Sequence, residues 1–134
     1  MDFLEIDKIA YIRIEKGKIL STKSRGRMKY YIAGGKRESN ETDAETLIRE
    51  IKEELNVEII TSTIKYIGTF KAQADSYSVG TNVKMICYTA EFVGNLEPCN
   101  EVQAIEWLTY ADRESVSEVD KIIFDFLKNK GELM

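Results

Sequence analysis

Glu50, Glu53 and Glu54 fall at i, i+3 and i+4 within Arg49-Glu50-Ile51-Lys52-Glu53-Glu54. On a helix this spacing projects three carboxylates from one patch of surface. Each like-charged pair costs about 0.2–0.5 kcal/mol, and one adjacent Arg does not neutralise three acids. A divalent cation would. An all-oxygen donor set favours hard cations, and Mg²⁺ in particular bridges a few carboxylates to substrate phosphate oxygens while retaining water.

The composition narrows the chemistry further. Histidine is absent, which excludes His-dependent general-base, nucleophile and phospho-transfer schemes and any zinc site of His/Cys type. Catalysis would have to run on carboxylates, Lys, Tyr or metal-bound water. Cys87 lies in the apolar run Met85-Ile86-Cys87-Tyr88, and with Cys99 the only other cysteine both are expected to be reduced and structural.

The net charge of −4 conceals an asymmetry. Residues 1–37 carry ten Lys and Arg against four Asp and Glu, and residues 38–134 carry nine against nineteen. Lys23, Arg25, Arg27 and Lys29 precede the carboxylates, an order suited to a ligand with phosphates that needs a metal at one end. We take Lys23, Arg25 and Arg27, with Tyr30, as candidate substrate-binding residues. Extended nucleic-acid binding is not expected, because it calls for a net-basic surface with interleaved aromatics.

Elements must then place these groups. Thr42-Asp43-Ala44-Glu45 fits a capping box, so a helix should start there. Ala44, Leu47, Ile48, Ile51 and Leu55 form an apolar stripe at helical spacing, and Glu50, Glu53 and Glu54 point away from it. Asn56 suits a left-handed helix end. Ahead of the helix, Tyr30-Tyr31-Ile32 reads as a short strand ending at Ala33-Gly34-Gly35, where two glycines allow close ligand approach. Ile9 to Ile14 and Ile19-Leu20-Ser21 read as a hairpin turning at Glu15-Lys16-Gly17-Lys18. Ile64 to Lys71, Val83 to Phe92 and Ala104 to Leu108 read as strands, with a polar loop over Gln73 to Asn82. Val119, Ile122, Ile123, Phe126 and Leu127 mark a second helix over about 116–130. The whole is expected to be one domain over 1–134, of class α/β, with a mixed sheet covered by helices on both faces. The acidic start and the lack of any apolar run near 18 residues predict a cytoplasmic protein without a membrane partner.

Gly35, Glu41, Arg49, Glu50, Ile51, Glu53, Glu54 and Val57 fit G-x5-E-x7-R-E-U-x-E-E-x-G-U, where U is aliphatic, except that Asn56 replaces the last Gly. This resembles the Nudix box, the signature of the Nudix (MutT-like) hydrolases, and the Pro that often precedes the two glycines is Ala33 here. The resemblance implies an α/β/α sandwich around a central mixed sheet and hydrolysis of a nucleoside diphosphate linked to another moiety, with Mg²⁺ or Mn²⁺. It implies Glu50, Glu53 and Glu54 as metal ligands, with the Gly34 carbonyl and Glu101 as further ones and Glu97 as the alternative to Glu101. Glu50, then Glu53, is the expected general base, and Arg49 completes the catalytic set by pairing with Glu41 and Glu53. The expected substrate is a small nucleotide, first a nucleoside triphosphate, otherwise a nucleotide sugar or a dinucleotide. A catalytically silent nucleotide sensor is the rival reading, and dimerisation is left open. Tyr30, Tyr31, Phe70 and Tyr77 are candidates to stack on a base.

Overall fold

The computed structural model describes residues 4–74 and 80–134, so Tyr77 lies outside the described residues. Its elements run β1 (Leu4–Tyr11), β2 (Ile14–Glu15), β3 (Lys18–Ser24), β4 (Gly34–Lys36), α1 (Asp43–Leu55), β5 (Glu58–Ile59), β6 (Lys65–Gln73), β7 (Thr81–Thr89), β8 (Phe92–Val93), β9 (Val102–Leu108) and α2 (Glu118–Asn129). Short 3₁₀ turns at Thr61–Thr63 and Tyr110–Ser115 complete the order.

The larger sheet has the order β4-β1-β7-β6 and is mixed: β1 and β7 are parallel, and the other neighbours are antiparallel. A second sheet, β2-β3-β9, is antiparallel throughout, and β5 pairs with β8. Strand β1 shows why the result is a sandwich. Successive side chains of a strand point to opposite faces. Ala10 joins a core cluster with Val119, Ile123, Phe124 and Leu127 of α2. Ile9 and Tyr11 join another with Leu47, Ile51 and Leu55 of α1. The two helices therefore cover opposite faces, which is the α/β sandwich expected from the sequence. Each buried Val, Leu, Ile or Phe among these contributes about 1.5–3 kcal/mol of transfer free energy. The Tyr11 hydroxyl, buried with its ring, donates to the Ala90 carbonyl at 2.7 Å.

Helix α1 begins where its capping box sets it. The Thr42 hydroxyl accepts from the Glu45 amide, and the Glu45 carboxylate accepts from the Thr42 amide. It ends at Asn56, whose φ of 60° is left-handed. Two sequence expectations are corrected. Tyr30-Tyr31-Ile32 makes only isolated bridges, Tyr31 to Thr22 and Tyr30 to Val116, and the regular strand is the glycine segment β4 itself. The loop expected over Gln73 to Asn82 is shorter at both flanks, because β6 runs through Gln73 and β7 starts at Thr81.

Candidate active site

Strand β4 lies against β1, with Gly34 opposite Ala10 and Gly35 opposite Ile9, beneath α1. Glycine is needed at both positions for different reasons. Gly34 has a φ of 146°, and a Cβ there would sit 2.1 Å from the Ile9 carbonyl oxygen. A Cβ on Gly35 would lie 2.3 Å from the carboxyl carbon of Glu50. The glycine strand is thus the floor on which the glutamates of α1 rest.

Glu54 and Glu50 occupy that floor. The Gly34 amide donates to Glu54 Oε1 at 2.9 Å. Burial pushes the Glu54 carboxyl up to about 7, and the neighbouring charges of Glu50 and Glu53 add to it, against the Gly34 amide and Lys8. Burial also raises Glu50, with Arg49 opposing and Glu53 and Glu38 reinforcing. Both carboxylates resist ionising chiefly because burial penalises their charge, and a bound cation would offset that cost. In that respect the donor set fits a hard divalent ion.

Arg49 organises the remaining acids. Its Nε donates to Glu41 Oε2 at 2.7 Å and its Nη2 to Glu41 Oε1 at 2.9 Å, a bidentate fork. Nη1 donates to Glu50 Oε1 at 2.8 Å and lies 3.6 Å from both Glu53 and Glu38. Hydrogen bonding from Arg49, with the Glu38 amide and the Thr46 hydroxyl, holds the Glu41 carboxyl down at about 2, and the Arg49 guanidinium is raised in turn. Glu53 is half exposed and turned toward Arg49. Among the described residues no three acidic side chains close on one point as a finished metal cage.

A cavity of ≈ 190 Å³ opens beside Glu54, lined also by Gly34, Gly35, Lys8, Arg27 and Tyr31, by the apolar Ile6, Val83 and Met85, and by Asp120. Of the basic candidates, Arg27 lines this cavity, with its guanidinium 5.3 Å from the Tyr31 ring centroid. Lys23 and Arg25 do not line it. Lys23 sits 5.7 Å from the Tyr30 ring, and Arg25 bonds through its amide to the Glu101 carbonyl. Tyr30 rests against the α2-side core, and Phe70 meets Phe126 edge to face at 5.2 Å. Glu101 stands in the turn before β9, exposed.

Sequence reasoning passes over three contributors. Asp120, in the first turn of α2, is buried against the cavity and accepts from the Ile32 amide at 2.9 Å. An acid amid the apolar stripe of Val119, Ile123 and Phe124 is the signal that marks it. Thr46 is fully buried and donates to Glu41 at 3.0 Å. The segment before β9 docks on the end of α1: the amides of Glu97 and Cys99 bond the carbonyls of Leu55 and Glu54, and Asn100 Nδ2 bonds that of Glu53. Carbonyls that a helix end leaves unpaired are satisfied there, and Glu97 and Glu101 are carried alongside the glutamate helix. Nothing local in the sequence announces that docking.

Comparison with known proteins fits this architecture. The family profile described as NUDIX domain matches residues 8–127. The chain belongs to the Nudix family, whose members generally hydrolyse nucleoside diphosphate derivatives and use divalent metal ions. Among solved structures, the MutT protein from Methanosarcina mazei Go1 aligns at a TM-score of 0.77 and 18% identity, covering 98% of each chain. The ORF135 protein of E. coli aligns at 0.72 and 24% identity, covering 94% of this chain and 92% of its own. The E. coli dihydroneopterin triphosphate pyrophosphohydrolase aligns at 0.71 and 17% identity, covering 96% and 99%. At such identities the likeness is one of fold. No curated protein matches the chain in sequence. No described helix is long and apolar enough to cross a membrane.

Proposed function

We propose that this protein is a metal-dependent pyrophosphohydrolase that cleaves the diphosphate linkage of a nucleoside triphosphate. The observation that carries the reading is the pair Glu50 and Glu54: two partly buried carboxylates with raised proton affinity, seated on a glycine strand beside a cavity that Arg27 lines. Glu50, Glu53 and Glu54 would hold Mg²⁺ or Mn²⁺, with the Gly34 carbonyl and Glu101 as further donors. When bound, the ion supplies charge neutralisation at the diphosphate and acidifies water.

The chain's own groups do the rest. Arg49 orients Glu50 and Glu53, and its fork on Glu41 fixes the guanidinium. Glu50 takes the proton from the attacking water, and Glu53 is the alternative base. Arg27, which lines the cavity, would meet the phosphate oxygens nearest the nucleoside. At ≈ 190 Å³ the cavity is below the ~300 Å³ at which pockets begin to enclose whole small ligands. It would take the nucleoside end, with the phosphates along the glutamates. One structural neighbour, 17% identical, is named a dihydroneopterin triphosphate pyrophosphohydrolase, which agrees with a triphosphate substrate.

The test is a panel of nucleoside triphosphates, nucleotide sugars and dinucleotides incubated with Mg²⁺, with products identified. Release of pyrophosphate from a triphosphate is expected. Tight calorimetric binding of nucleotide with no turnover of any panel member would replace the enzyme with a sensor.

A further inference from the structure

The loop that carries Glu41 is gripped by two arginines, and only Arg49 belongs to the site described above. Arg37 grips the same loop from the other side. Its Nη1 donates to the Glu41 carbonyl at 3.2 Å, its Nη2 meets Asp43 Oδ1 at 2.5 Å, and its Nε lies 3.7 Å from Asp7 of β1. Asp43, in the first turn of α1, also accepts from the Tyr88 hydroxyl of β7. Burial alone would raise the Asp43 carboxyl, yet the hydrogen bonds from Tyr88 and Arg37 outweigh it and keep it below its ordinary value. Arg37 thereby ties the loop to two central strands and to the helix start.

The loop is closed on itself as well. The Glu38 amide bonds Glu41 Oε1 at 2.9 Å, and the Glu41 amide bonds the Glu38 carbonyl at 3.1 Å. Glu41 is therefore fixed through its backbone by Arg37 and through its side chain by Arg49. Because Arg49 reaches Glu50 and Glu53 with its remaining nitrogen, a shift of Glu41 would be passed to both carboxylates.

We propose that Arg37 is a positioning residue for hydrolysis, holding the backbone of Glu41 so that Arg49 presents Glu50 and Glu53 in register, with Asp43 and Tyr88 as its anchor on the sheet. The inference rests on the proposed function and is tested with a readout that does not need turnover. Arg37→Gln removes the charged fork. Arg13 serves as the control, since it is also an ion-paired arginine, 20% exposed against 27% for Arg37, but bonded to Glu15 and Glu91. Outer-shell partners of this kind change activity or metal affinity by about 10–100-fold.

Mn²⁺ affinity by titration calorimetry, kcat and KM on the triphosphate turned over best, and Tm are measured for wild type, R37Q, R37K, Y88F and R13Q. R37Q should weaken Mn²⁺ binding and lower kcat about tenfold each, with KM within about twofold and little change in Tm. R37K should recover part of the loss, because lysine keeps the charge without the fork. Y88F, which removes the anchor's hydroxyl alone, should lose less than R37Q. The idea is overturned if R37Q matches R13Q in kcat and Mn²⁺ affinity, or if its losses merely follow a lowered Tm. A wild type without turnover that still binds Mn²⁺ would sink the enzymatic reading and leave the Mn²⁺ arm to decide this one. A wild type that neither binds Mn²⁺ nor turns over any triphosphate would remove both.

Discussion

Glu54 sits partly buried with two other glutamates close by, and its one strong partner is a backbone amide. Its charge is costly without a cation, so Glu54→Gln should keep the fold, since the amide oxygen can still accept from Gly34, while kcat falls by about 10²-fold or more in steady-state assays with Mg²⁺. Glu53→Gln should do the same from its exposed position, and wild-type kcat in either variant would refute the ligand assignment. The pH dependence follows from the direction of the shift. The folded Glu54 pKa, about 7, lies above its ordinary value of 4.5, so the folded state binds the extra proton. The stability this confers is complete below 4.5 and is lost as pH rises to about 7. Glu41, held at about 2, acts oppositely: its stabilisation is present above 4.5 and fades as pH falls toward 2. Denaturant melts of metal-free protein should show stability declining from pH 4.5 to 7. The decline should shrink in Glu54→Gln and in saturating Mn²⁺, and a flat profile would contradict the burial of Glu54. At this scale the glutamates were legible because spacing on one helix is a local property. Arg27 could not be told from Lys23 and Arg25, because which basic side chain reaches the cavity depends on how the turn after β3 folds back. Asp120 is marked in the sequence only by standing in an apolar stripe, and its place beside the cavity depends on how α2 packs against the Ile32 segment.

Helix α1 was readable at both ends, since a capping box and a left-handed asparagine are made by neighbours in sequence. Its caps give measurable predictions. Thr42→Ala should cost about 1 kcal/mol in a denaturant melt, the usual value of a lost N-cap. Asn56→Gly, at a φ of 60°, should alter stability by only a few tenths of a kcal/mol and leave kcat unchanged. A large loss of activity in Asn56→Gly would mean that the asparagine side chain, and not the helix end it forms, serves the reaction. What the sequence concealed were elements whose partners are remote. Tyr30 bridges to Val116, and Tyr31 to Thr22, so neither belongs to a regular ladder despite a strand-like composition. Gly34–Lys36 pairs with β1 although glycine is poor strand material, because a Cβ at Gly34 would strike the Ile9 carbonyl and one at Gly35 the Glu50 carboxyl. The 97–100 segment caps α1 from more than forty residues away.

Across the whole molecule, the sheet separates two regions. The α1 face carries the carboxylates and Arg49. The cavity is bounded by side chains that belong to the α2-side core, Val83, Met85, Ile32 and Val119 among them. Gly34, Gly35 and Glu54 are where the two regions meet. If the cavity takes the nucleoside and the glutamates take the phosphates, recognition and chemistry should be separable by mutation. Val83, 5% exposed and lining the cavity, is the place to test it. Overpacking a filled core usually costs about 1–3 kcal/mol, but phenylalanine at position 83 can extend into open volume, so Val83→Phe should fall at or below the low end of that range. The added ring would occupy the space meant for the nucleoside. KM for the triphosphate should rise by about tenfold or more, the scale on which a few carbon atoms in an apolar pocket discriminate. At saturating substrate kcat should stay within about twofold, and Mn²⁺ affinity should not move, because no carboxylate or its support has changed. An unchanged KM in a folded Val83→Phe would place the nucleoside elsewhere. A joint loss of kcat and Mn²⁺ affinity would show that the two faces of the sheet are coupled through the glycine strand.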